Sequence, residues 1–212
     1  TPWATIVLVL IMQVTLAWSI ESAAWVPGLG IMAPIVVMAV LTAAALSGLR
    51  WMPVSVAHGW SFVAGFFITF YAAAFTLDQY ASVDAGWLRS TGSYGRMQLV
   101  RDWYIGWIRT AAGNAYDGSL LHQDMSQLFA VVTLGLLLWL LSYICAWFAV
   151  RYASWTGAAL PSGFALLFNL YSARREDGLI YMVVFMLCAF ILAARTHLAL
   201  RVEHWRTLRL GH

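Results

Sequence analysis

Six long apolar stretches constrain this chain more than any other feature: residues 4–20, 28–49, 54–77, 126–150, 154–171 and 179–200. A helix rises about 1.5 Å per residue, so stretches of this length cover about 25–35 Å, the thickness of a bilayer's hydrocarbon core. None shows the strict alternation of a barrel strand, and lipid offers backbone polar groups no partner outside their own helix. Composition agrees: 62% of residues are hydrophobic and 10% are charged, with mean hydropathy +0.77. Soluble domains carry roughly a quarter charged residues. The sequence therefore predicts an all-α, polytopic membrane protein with six transmembrane helices and the lipid bilayer as its first partner.

The stretches divide the chain into residues 1–77 with helices one to three, a loop over 78–125, residues 126–200 with helices four to six, and a basic tail over 201–212. An even number of spans puts both ends on one side. The twelve basic residues, all arginine, split evenly between the two sides, whereas of the nine acids only Glu203 shares a side with the ends. Acids contribute weakly to orientation. The expected topology is a multi-pass membrane protein with both ends cytoplasmic and the 78–125 loop outside. The chain opens at Thr1 without methionine or a basic leader, which is expected of a segment of a longer product.

The outer loop contains "RMQLVRDWYIGWIRTAAG", in which Met97, Val100, Trp103, Tyr104, Trp107 and Ile108 recur at helical spacing. Arg96, Gln98, Arg101, Asp102 and Arg109 fall mostly on the opposite face. This predicts an amphipathic helix at about 96–112 lying in the membrane interface, or packed on a partner protein.

The residue pattern carries little chemistry. No metal spacing, phosphate loop or catalytic cluster stands out, so neither catalytic nor metal-binding residues are assigned and no cofactor is expected. His58 and His197 are expected at similar depth near the cytoplasmic face, where two histidines are candidate ligands for haem or a chlorin. The bland alternative is hydrogen bonding to a neighbour or to headgroup water. Cys145 and Cys188 lie inside apolar runs and read as small buried hydrophobes. Gln13 and Asn169, the amides within the spans, read as interhelical hydrogen-bonding groups. A net charge of +3 gives no footprint for nucleic acid. Gly30 with Pro34 and Gly157 with Pro161 repeat one spacing, as in inverted-repeat transporters, but no ionisable residue sits near the middle of a span as coupled transport requires.

Three stretches, "SIESAAWVPGLGIMAP" at 19–34, "LPSGFALLFNLYSARRED" at 160–177 and "RTHLALRVEHWRTLRLGH" at 195–212, resemble the N-terminal multi-helix region of bacterial membrane-anchored transglutaminase-like proteins. The likeness covers most of the chain in helix order. It implies a bundle that precedes a further membrane helix and an extracytoplasmic transglutaminase-like domain with a Cys, His, Asp triad. That triad would lie beyond residue 212, and no residue of this chain maps to it. On this basis the chain is expected to be an anchor or scaffold without catalytic residues of its own. From a different class comes an alternative: an accessory structural subunit of a larger respiratory or photosynthetic complex, packed on other membrane-protein subunits.

Overall fold

The computed structural model describes residues 2–49, 51–80, 83–113, 120–173 and 178–209, and every regular element among them is helical. In chain order these are α1 (Pro2–Ala23), α2 (Met32–Gly48), α3 (Val54–Ala73), α4 (Ala85–Ser90), α5 (Ser93–Gly113), α6 (Leu120–Arg151), α7 (Trp155–Ala173) and α8 (Gly178–Arg209). Short 3-10 turns lie at Leu29–Ile31 and Leu77–Gln79. Among the described residues five helical segments are long and apolar enough to cross a membrane: Trp3–Ala23, Leu29–Gly48, Val54–Ala73, Gln123–Arg151 and Gly178–Ala199. The protein is membrane-embedded and all-α.

These five coincide with five of the six predicted stretches. The remaining stretch, 154–171, forms α7, but Pro161, Ser162 and Asn169 dilute its apolar content and it is not among the five. Other boundaries also shift. α6 starts at Leu120 rather than near 126, and α8 runs on to Arg209, so the 201–212 stretch continues a helix at least that far. Pro53 immediately precedes α3, and the Asp84 carboxylate accepts from the Gly86 amide at 2.8 Å to cap α4. Between α1 and α2 the chain turns at Gly28, whose φ of 90° lies in the left-handed region. A Cβ there would also stand 3.2 Å from the Tyr80 hydroxyl.

α1 sits at the centre, packed on α2, α6, α7 and α8, while α2 lies along α6. Val9, Met12, Leu16, Ile35, Val36, Val131 and Trp139 form the middle of this inner core. Lipid tails are as apolar as leucine, so burial alone does not drive these helices together; close approach and hydrogen bonds do. The α3–α6 contact shows how. α3 presents Ala57, Ser61, Gly65, Thr69 and Ala73, all buried and each four residues after the last. α6 answers with Trp139, Tyr143 and Trp147 at the same spacing, the ridge-into-groove pattern of helix packing. The Trp139 ring fills the space a Cβ on Gly65 would take, and its indole N–H donates to the Ser61 carbonyl at 3.0 Å.

Polar links complete the inner bundle. The Ser142 hydroxyl donates to Gln13 Oε1 at 3.3 Å, joining α6 to α1, and Asn169 Nδ2 donates to Ser19 Oγ at 2.6 Å, joining α7 to α1. Both amides therefore do what their isolation within apolar runs predicts.

α6 is 32 residues long, about 48 Å, and exceeds the roughly 30 Å hydrocarbon core. Its N-terminal surplus supports a second core, where Phe70, Leu77, Tyr80, Leu88, Val100, Trp103, Leu128 and Val132 gather α3, α4, α5 and α6.

Candidate functional site

The sequence singled out two places: the apolar face of α5 and the pair His58 with His197. On α5, Val100 and Trp103 are buried, and Met97 and Tyr104 pack against the second core. The Trp107 ring stacks on Phe129 of α6 with centroids 3.6 Å apart, and Tyr104 stacks on the same ring at 5.0 Å while meeting Phe70 edge-on at 5.3 Å. Five of the six face residues thus contact the chain's own helices. Ile108 does not; it is 45% exposed, beside the equally open Ile105. On the far face Arg101 pairs with Asp102 at 2.7 Å, a solvent-exposed pair that contributes little to stability.

The α4–α5 layer is tied down by polar groups as well as rings. Arg96 donates from its guanidinium to the backbone carbonyls of Leu88 and Thr91, which fixes α4 against the start of α5. Tyr80 is buried against Trp103, with ring centroids 6.1 Å apart. Burial pushes its phenol up to about 12; a hydrogen bond with Thr76 opposes the rise and the Asp124 charge adds to it.

The histidines are not brought together. α3, which carries His58, packs on α2, α5 and α6, whereas α8, which carries His197, packs on α1 and α7. Equal depth says nothing about which side of a bundle a helix occupies. His197 is exposed. The side chains of His122, His204 and His212 lie outside the described residues. Among the described residues no group of three metal-ligating side chains converges. Cys145 and Cys188 are free and buried in the inner bundle.

His58 instead belongs to an aromatic groove between α3 and α6. Its Nδ1 lies 3.0 Å from the Tyr143 hydroxyl, and its ring meets Tyr143 edge-on at 5.6 Å and Trp147 at 4.9 Å. The groove has a volume of about 440 Å³ and is completed by Ser61, Leu140, Ile144, Phe148 and Tyr152. Arg151 lies beside Trp147: its guanidinium is 5.7 Å from the centre of that ring and donates to the Ser47 carbonyl at 3.1 Å, capping the last turn of α2. Tyr143 and Trp147 escaped the sequence reading. Their signal was present in the four-residue spacing of Trp139, Tyr143, Trp147 and Arg151.

A smaller cavity of about 100 Å³ lies between α1, α7 and α8, lined by Ser19, Ser22, Asn169 and Tyr181 among others. Asn169 Oδ1 is buried without a partner there, and the space suits ordered water. No protein-family model, curated protein or solved structure matches this chain.

Proposed function

We propose that this chain is a membrane anchor and scaffold domain whose six spans keep both ends cytoplasmic and hold the α4–α5 layer on the outer side of a bacterial inner membrane. α7 supplies the sixth crossing: its 19 residues cover about 28 Å, and it packs on α1, α6 and α8. α5 lies at the outer surface, with Ile105 and Ile108 toward the headgroups and its remaining apolar residues on the bundle. The observation that carries the reading is the use of the buried polar groups. Ser142 with Gln13 and Asn169 with Ser19 join helix to helix, and Arg96 ties the outer layer down. Such a body is built to be rigid.

On the resemblance noted in the sequence, the domain it supports is transglutaminase-like and encoded beyond residue 212. Reading the gene past His212 tests this. A further membrane helix followed by a domain with Cys, His and Asp is the expected result. The accessory-subunit reading has its own observation: α3 exposes Trp60, Phe62 and Phe67, and α7 and α8 expose Phe164, Phe168 and Phe190. Absence of the downstream domain, together with stoichiometric recovery of other membrane subunits, would decide for it.

A further inference from the structure

We propose that the groove around His58 binds a lipid-soluble ring bearing carbonyl groups, a molecule of the quinone class. This goes beyond the anchor reading and stands or falls independently of it.

The placement of His58 comes first. It lies four residues into α3, about 6 Å from the helix start, and its ring is exposed along the groove rather than packed into the bundle. One ring nitrogen is thus open to a polar atom of the groove's occupant. Nδ1 is already committed to the Tyr143 hydroxyl. If Tyr143 donates to Nδ1, then Nε2 carries the proton and is the donor left for a ligand. If Nδ1 donates instead, the Tyr143 hydroxyl can turn to Ser61 and Nε2 is left as an acceptor. The first tautomer is the one that offers a donor to a carbonyl oxygen. Trp147 also lines the groove, and its indole N–H is buried without a partner close behind the wall.

Shape then selects among lipid-soluble acceptors. The lining is dominated by rings, from His58, Tyr143, Trp147, Phe148 and Tyr152, and offers flat faces and edges to a planar group. Its volume of about 440 Å³ falls within the range of small-molecule sites. Leu140 and Ile144 continue the apolar wall toward mid-membrane, where a hydrocarbon tail would run. Access is from the bilayer, because Trp60 and Phe62 on α3 and Ile144 on α6 are exposed beside the groove. The rival groove, about 550 Å³ between α7 and α8, has Trp155 at one end but a lining otherwise aliphatic or phenyl, without a His–Tyr pair. It serves as the internal control.

The test uses the whole chain in phosphatidylcholine nanodiscs, dialysed to equilibrium against a benzoquinone with a single prenyl unit and read by quinone absorbance. Saturable binding at one site per chain is expected. His58→Leu should weaken it about tenfold, the loss of one hydrogen bond, and Tyr143→Phe severalfold. Ile144→Trp, which fills the groove without touching the polar pair, should abolish it, and Phe164→Leu in the control groove should leave it unchanged. Helical circular dichroism and size exclusion establish that each variant is folded; if His58→Leu is not, Ile144→Trp still decides. Non-saturable partitioning, or saturable binding indifferent to His58→Leu and Ile144→Trp, would overturn the proposal. So would a phospholipid that stays with the wild-type chain through purification, is lost in those variants and excludes the quinone.

Discussion

The inner bundle and the outer layer are held together by opposite means. In the inner bundle, where lipid surrounds the helices, contacts rely on small residues that let a partner come close, as where Ala57, Ser61 and Gly65 of α3 admit the Trp139 ring of α6, and on single hydrogen bonds between buried amides and hydroxyls. In the α4–α5 layer the contacts are large rings: Trp103 on Tyr80, and Trp107 and Tyr104 on Phe129. The difference follows from the surroundings. A helix in lipid gains no solvent-driven free energy by touching another helix, so it needs intimacy; a helix beside water gains by burying apolar area, so bulk suffices. One long helix, α6, serves both regimes along its length.

The strongest way to break the comparison is to remove bulk from the outer layer. Trp103→Ala is expected to destabilise the docking of α5 by about 3–5 kcal/mol while the bundle persists. Hydrogen exchange should then show residues 93–113 losing protection and α1 and α2 keeping theirs. Uniform loss across both regions would mean that the two are one cooperative unit. Adding bulk where the bundle relies on intimacy is the converse. Gly65→Val drives a side chain into the Trp139 ring and should destabilise the protein by about 1–3 kcal/mol, visible as a lower melting temperature in detergent.

Alkali probes the α4–α5 layer without mutation. Tyr80 has its phenol raised from 10.0 to about 12, so folding favours the neutral form. Its contribution is fully present below about pH 10 and is lost as pH rises toward 12. The outer layer should loosen in that window, and Tyr80→Phe should remove this part of the pH dependence. The smallest effect is expected from Asn169→Leu, which deletes the hydrogen bond to Ser19 and leaves apolar contact in its place. A change of about 0.6 kcal/mol in unfolding free energy is expected. A loss several times larger would mean that the amide also holds water in the adjoining cavity.

The helices were legible because lipid permits so few alternatives. Their partners were not. The spacing of Val100, Trp103 and Tyr104 announces an apolar face, but the same pattern serves a membrane, a partner or the chain's own core, and only the fold shows Leu128, Phe129 and Val132 of α6 against it. The first turns of α6 were hidden by Gln123 and Asp124, whose polarity reads as loop; Asp124 is in fact buried. Gln13 and Asn169 were readable because a lone amide in a span has few uses. His58 and His197 share a depth, but depth fixes height along the bundle and leaves the direction around it open, and the two sit on helices with different neighbours. The aromatic row on α6 would have supplied that direction.

The account rests most heavily on six crossings, and therefore on α7. Single cysteines at Trp51, Ser90 and Ser172, placed in a background carrying Cys145→Ala and Cys188→Ala, are probed in intact cells with a membrane-impermeant thiol reagent. All three positions are exposed in the folded chain. The account predicts labelling at 90 and 172 from outside, and labelling at 51 only after the membrane is opened. Labelling at 90 without 172 would show that α7 does not cross, and labelling at 51 alone would invert the topology; either result contradicts the account.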